Sequence, residues 1–222
     1  MNVENEKWIA AIASADYVKN GMLVGLGSGS TAAFMIAELG KRVAGGLIMK
    51  GIPSSDATAK LAKQAGISLI SLDDAGTMDI NIDGADEFDP KFQLIKGGGG
   101  ALLREKILAH NSRFNIIIAD SGKKVDGLGK FKLPVETIPF ATEIIISELH
   151  NMDLKPQLRM KNNEVYKTDE NNCIIDVDIF KKDDLQELNN HLIQIPRCGG
   201  NRTFLNLYGY CFNGAREQGC YL

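Results

Sequence analysis

The chain has no apolar run near the ~20 residues needed to span a bilayer. Its first residues, Met1-Asn2-Val3-Glu4-Asn5-Glu6-Lys7, lack the basic-then-apolar order of a signal peptide. Both absences lead to the expectation of a cytoplasmic protein with no membrane partner. No stripe of Lys and Arg interleaved with aromatics is present, and a net charge of −3 with a pI near 5.7 leaves no electrostatic footprint for nucleic acid. The cysteines, Cys173, Cys198, Cys211 and Cys220, lack metal-ligand spacing, and a reducing compartment argues against disulfides. His110, His150 and His191 fall in helical patterns with no nucleophile or metal partner near them in sequence. Neither a metal nor a cofactor is expected.

What is present is a strand–glycine turn–helix grammar. At 222 residues the chain can bury a sizeable core. Trp8, Ile12 and Ala15 recur at helical spacing over residues 4–20, and Gly21 ends the pattern. Met22-Leu23-Val24 reads as a strand running into Gly25-Leu26-Gly27-Ser28-Gly29-Ser30-Thr31, and residues 32–43 read as a helix. The grammar repeats as a strand over 47–52, a helix over 56–65 and a strand over 67–72, as expected of a mostly parallel α/β sheet. Further strands over 78–82 and 114–119 deliver Asp83 and Asp120 at their ends. Open α/β sheets bind ligands beyond the carboxyl ends of their strands. After Phe131 the glycine-rich turns stop. A helix over 141–152, strands over 164–166 and 173–177 read as paired with each other, and a helix over 183–192 suggest a small α+β subdomain.

Five segments are candidates for chemistry, each with a plainer structural reading beside it. Gly25–Thr31 places Ser28, Gly29, Ser30 and Thr31 where backbone N–H groups and hydroxyls meet an anion, or it is simply a tight strand-to-helix turn. It is not a dinucleotide fingerprint, because Ser30 stands where the third glycine is required. Ser54-Ser55-Asp56-Ala57-Thr58 fits a helix N-cap. Asp83-Gly84-Ala85-Asp86-Glu87 concentrates carboxylates in one short loop, where repulsion favours raised pKa values or a hydroxyl-rich ligand. Lys96-Gly97-Gly98-Gly99-Gly100 then opens the helix bearing Arg104-Glu105-Lys106. Ordering four glycines costs on the order of 1 kcal/mol each relative to Ala, so close approach of backbone to a ligand is the better account. Lys123, beside Lys124 after Asp120, fits a phosphate contact or a solvated pair.

In order and spacing these stretches closely resemble ribose-5-phosphate isomerase of the A type, over residues 1 to about 196. The resemblance implies a Rossmann-like main domain over 1–130, with a return over about 203–222, and a small α+β lid domain over 131–202. It implies a homodimer or homotetramer that interconverts ribose 5-phosphate and ribulose 5-phosphate without a metal. On this resemblance Glu105 is the general base and Asp83 and Asp86 hold the sugar hydroxyls. Lys96 with the N–H groups of Gly97, Gly98 and Gly99 stabilises the enediolate oxygen, while Ser28–Thr31, Gly84, Ala85 and Lys123 complete the substrate contacts. A regulatory module that binds a sugar phosphate without turnover is the alternative, and it would need no base at position 105.

The resemblance falters after Pro196, where Arg197-Cys198-Gly199-Gly200-Asn201-Arg202-Thr203-Phe204 alternates poorly as a strand. Codons for Cys-Gly-Gly-Asn-Arg-Thr can be TGT GGT GGA AAC CGG ACT, and dropping the first base yields Val-Val-Glu-Thr-Gly-Leu, an apolar strand pattern. Residues 197–222 are therefore expected to be read one base out of frame, which would also explain three cysteines near the end of the chain.

Overall fold

A computed structural model describes residues 2–180 and 184–195, together with the backbone of strands at 198–201, 203–204, 209–213 and 216–218. The out-of-frame expectation concerns side chains of the tail, which lie outside the described residues. The chain divides into two compact units. One comprises Met1–Ala85, Arg104–Lys124 and Asn206–Leu222; the other comprises Asp86–Leu103 and Val125–Leu205.

The first unit is built on a sheet in the spatial order Arg216–Gln218, Gly209–Asn213, Asn115–Ala119, Ile80–Gly84, Met22–Leu26 and Met49–Pro53. All neighbours pair in parallel except Arg216–Gln218, which runs antiparallel on the edge. The sequence Ile80-Asn81-Ile82-Asp83 alternates with the strand's period of two, so Ile80 and Ile82 enter the apolar core while Asn81 and Asp83 share the opposite face. Asn115–Ala119 is buried throughout, as parallel strands covered on both faces are.

Helices Val3–Ala15 and Ser30–Ala44 join this core. The first helix differs from the expectation built on Trp8. Its buried apolar residues are Ala10, Ala11 and Ala15, and Trp8 is 47% exposed. Ile67–Leu72 differs too. It makes a single parallel bridge, Leu69 to Gly51, and Ser71 then caps a short helix, Leu72–Ala75, through the Asp74 N–H. A Ser-Leu-Asp-Asp sequence favours a capped turn over further strand.

In the second unit an antiparallel sheet runs in the order Cys198–Asn201, Leu133–Thr137, Cys173–Val177 and Gln157–Leu158. Helices Thr142–Asn151 and Leu185–Gln194 contribute Ile145, Leu149 and Leu192 to its core, against Leu133, Val135, Ile175 and Val177. A smaller sheet pairs Leu94–Ile95 with both Glu87–Phe88 and Thr203–Phe204. The expected pairing of 164–166 with 173–177 does not form: Glu164–Val165 pairs with Met160–Lys161, and Cys173–Val177 lies between Leu133–Thr137 and Gln157–Leu158. Two-residue strands are too short for periodicity to reveal. Among the described residues no helix is long and apolar enough to cross a membrane.

Candidate active site

In the first unit, strand ends and the turns that follow them bring several expected residues together. Gly27 lies so close to Asp83 that a Cβ on it would stand 2.2 Å from Asp83 Oδ1 and 2.5 Å from the Asp83 Cα. Absence of that Cβ lets Asp83 Oδ1 accept two backbone N–H groups, from Ser28 at 3.1 Å and Gly84 at 2.7 Å. Asp83 thereby fixes the glycine turn as well as presenting a carboxylate. It is 1% exposed.

Ser28 is the centre of a hydroxyl cluster. Its Oγ lies 2.7 Å from Ser54 Oγ, 2.9 Å from Ser55 Oγ and 3.1 Å from Thr58 Oγ1, and Thr58 donates to the Gly27 carbonyl at 3.0 Å. Ser55 also caps helix Asp56–Gln64 through the Thr58 N–H. The Ser54–Thr58 stretch is therefore both a cap and part of the site's wall. Gly29, at φ 95°, turns the chain into helix Ser30–Ala44. The N–H groups of that first turn, at Ser30 and Thr31, have no intrahelical acceptor and favour an anion.

Glu105 stands in the first turn of helix Leu102–His110 and is 4% exposed; the adjacent Arg104 pairs with Asp56 at 2.8 Å. Lys123 closes a 3-10 turn, Ser121–Lys123, which Asp120 caps by accepting the Gly122 N–H at 3.0 Å. The turn is also held by Glu6 through the Ser121 N–H, and bonds from the Ser121 side chain and backbone keep the Glu6 carboxyl below its ordinary pKa.

In the second unit the expected residues form another group. Lys96 is 3% exposed. Asp86 Oδ2 accepts the Gly98 N–H at 2.7 Å, so that donor is already engaged, unlike the expectation of equivalent N–H groups along Gly97, Gly98 and Gly99. A Cβ on Gly98 would stand 2.6 Å from Asp86 Oδ1 and 2.8 Å from Phe131 Cζ, whereas one on Gly99 would meet nothing within 4 Å. Glycine is needed at the first for packing. The second leaves open space.

Glu87, the last carboxylate of the Asp83–Glu87 stretch and 3% exposed, supports this second group by accepting the N–H groups of Gly129 and Phe131. Three further supports carry no sequence signal. Glu136, 1% exposed, accepts the Leu103 N–H, the Thr168 hydroxyl and the Asn172 amide. Arg159 and Tyr166 reach the glycine carbonyls. Each is a lone polar residue far along the chain from what it holds, and no local pattern marks it. Among the described residues no group of His, Cys, Asp and Glu is arranged to hold a metal ion.

The sequence model of the family described as ribose 5-phosphate isomerase A (phosphoriboisomerase A) matches residues 50–218. A ribose-5-phosphate isomerase A from Roseobacter denitrificans is 45% identical over 213 residues, spanning 92% of this chain and 81% of the relative. The structure of ribose 5-phosphate isomerase A from Methanocaldococcus jannaschii superposes with a TM-score of 0.93 at 36% identity and full coverage of both chains. A D-ribose-5-phosphate isomerase in complex with phospho-erythronic acid superposes equally well, with a TM-score of 0.93 and 36% identity over the whole of both chains.

Proposed function

This chain belongs to the ribose 5-phosphate isomerase A family, and from that premise we infer that it interconverts D-ribose 5-phosphate and D-ribulose 5-phosphate in the non-oxidative pentose phosphate pathway. Glu105 is the proposed general base. Its carboxylate removes the proton from C2 of the open-chain aldose, and the C–H electrons form the C1–C2 double bond of a cis-enediolate. The same group returns the proton to C1, while the proton of the C2 hydroxyl passes to the C1 oxygen, so that C2 becomes the ketone and C1 carries the alcohol. No electrons leave the substrate, so the reaction needs no redox cofactor.

Negative charge develops on oxygen in this step, and Lys96 with the N–H groups of Gly97 and Gly99 is the proposed stabiliser, the Gly98 N–H being held by Asp86. Donors aimed at developing charge contribute about 3–4 kcal/mol each in comparable sites. Asp83 and Asp86 hold hydroxyls, Asp83 being the candidate for assisting ring opening. Ser28, Gly29, Ser30, Thr31 and Lys123 take the phosphate, and Gly84 and Ala85 complete the sugar contacts. The observation that carries these roles is the burial of three ionisable side chains, Asp83 at 1%, Lys96 at 3% and Glu105 at 4% exposure. Burial alone also marks structural carboxylates such as Glu87 and Glu136, and what supports a functional reading is that these three fall at a strand end, at the start of the glycine run and in the first turn of a helix. We further propose a cytoplasmic homodimer or homotetramer, on the strength of the family resemblance; the mass of the assembly in solution tests the second point.

Formation of ribulose 5-phosphate from ribose 5-phosphate by the purified chain tests the activity. Glu105→Gln in the same assay should lose roughly 1,000-fold or more in kcat, in line with loss of a proton-transfer group. An inactive parent would overturn the isomerase assignment, and a variant near parental rate would overturn the base.

A further inference from the structure

The glycine run that follows Lys96 is held from its carbonyl side by residues more than fifty positions later in the chain. Arg159 Nη1 donates to the Gly98 carbonyl at 3.0 Å and, at a longer 3.5 Å, to that of Gly97. Tyr166 Oη donates to the Gly99 carbonyl at 3.3 Å. Three successive carbonyls are thus engaged by one short segment. The segment is itself anchored: the Arg159 N–H donates to the Ile174 carbonyl at 2.8 Å, and the Tyr166 N–H to the Arg159 carbonyl at 2.9 Å.

The guanidinium is anchored at its other edge. Nε donates to Asp176 Oδ2 at 2.8 Å, and Nη2 to Asp176 Oδ1, in the bidentate fork geometry that arginine alone among side chains supplies. Both side chains are largely shielded from water, Arg159 at 16% and Asp176 at 20% exposure. A planar group fixed on one edge by a carboxylate has little freedom left on the other. Its remaining N–H therefore fixes the glycine carbonyls.

Carbonyl orientation decides N–H orientation, because a trans peptide is planar and its C=O and N–H point in opposite directions. The Gly97 carbonyl belongs to the peptide whose N–H, at Gly98, orients Asp86 at 2.7 Å. The Gly98 carbonyl belongs to the next peptide, whose N–H is that of Gly99. Gly99 is exposed, and its N–H has no hydrogen-bond partner among the described residues. The Gly97 carbonyl also accepts the Gly100 N–H at 3.0 Å, so the first plane has a local hold, whereas Arg159 is the donor on the Gly98 carbonyl and glycines have no side chain to restrict that second plane.

We propose that Arg159, locked by Asp176 and assisted by Tyr166, is a positioning residue for the reaction: it holds the Gly98–Gly99 peptide plane so that the Gly99 N–H is presented to the developing oxyanion, and it supplements the Gly100 N–H on the preceding plane, whose own N–H orients Asp86. The inference rests on the isomerase reading given above. Arg159 touches neither reacting atom. Its effect is pre-organisation, which matters most when charge is developing and least when ground-state substrate is bound.

Arg159→Ala and Arg159→Lys are the test, with Asp176→Asn as a second route to the same loss. Arg159→Ala is expected to lower kcat by roughly 10–100-fold, below the cost of deleting a donor outright, with KM for ribose 5-phosphate within about 3-fold of the parent. Affinity for phospho-erythronic acid, whose planar, negatively charged carboxylate imitates the charge and planarity of an enediolate, should fall with kcat/KM. Millimolar guanidinium should restore part of the rate in Arg159→Ala, methylammonium should not, and Arg159→Lys should stay impaired because an ammonium cannot span both partners. An unchanged kcat in a folded Arg159→Ala protein would overturn the proposal, as would a loss that tracks the folded fraction and resists guanidinium. An inactive parent would instead defeat the isomerase reading. In that event glycine-labelled 15N spectra decide this one: the Gly99 amide signal should shift in Arg159→Ala and return with guanidinium, and an unmoved signal would overturn it.

Discussion

Glu6 Oε2 accepts the Ser121 N–H at 2.7 Å, tying the N-terminal helix to the turn that carries Lys123. The Ser121 side chain and then its backbone lower the Glu6 pKa from an ordinary value of 4.5. A carboxyl with a depressed folded-state pKa contributes stability that is present above its unfolded value and is lost as pH falls through the folded value. Thermal midpoints of the parent should therefore drop as pH is lowered below about 4.5, and Glu6→Gln should flatten that part of the profile. Superimposable profiles would show that the bond adds nothing to stability.

The contact of Gly27 with Asp83 predicts a steric defect. In Gly27→Ala the new Cβ meets the Asp83 Cα at 2.5 Å, so backbone rather than a flexible side chain must yield. A loss of about 2–3 kcal/mol in urea unfolding is expected, together with impaired turnover. Gly99→Ala, where a Cβ meets nothing within 4 Å, is the control and should leave stability within about 1 kcal/mol of the parent.

Glu136 predicts a loss of stability through hydrogen bonding. Its carboxylate accepts from Leu103 N–H at 3.2 Å, Thr168 Oγ1 at 3.0 Å and Asn172 Nδ2 at 3.0 Å, at 1% exposure. Glu136→Leu strands all three donors, with a cost of about 3 kcal/mol or more. Glu136→Gln keeps an acceptor oxygen and should lose less. Equal unfolding midpoints for the two variants would show that side-chain volume, not hydrogen bonding, matters here.

The tail makes a prediction about the gene. A single-base deletion near codon 197 should restore an apolar strand pattern, and the frame-restored chain should unfold at a higher temperature than this one. Equal midpoints, or a gene in which no such deletion restores the pattern, would count against an out-of-frame origin.

Legibility followed the range of the interaction. Asp83 could be placed at the carboxyl end of a strand because a short apolar run is a local signal, and Ser55 could be placed at a helix start because capping spans only a few residues. Trp8 misled because apolar spacing shows that a helix has a face but not which face finds a partner. Alanines at 10, 11 and 15 are buried while the indole is 47% exposed. Ile67–Leu72 misled because β-branched apolar residues beside an edge strand suffice for one bridge without a ladder.

By itself the sequence determined the alternation of strands and helices and the turns that need glycine, and it supplied the side chains proposed to move a proton beside an anion, since all are written in short spacings. Only the tertiary structure decided that Asp83 braces the Ser28 turn, that Asp86 occupies the Gly98 N–H, and that Arg159 holds the glycine carbonyls. Each of those bonds depends on where the backbone brings distant donors and acceptors within about 3 Å. Local propensity carries no information at that separation.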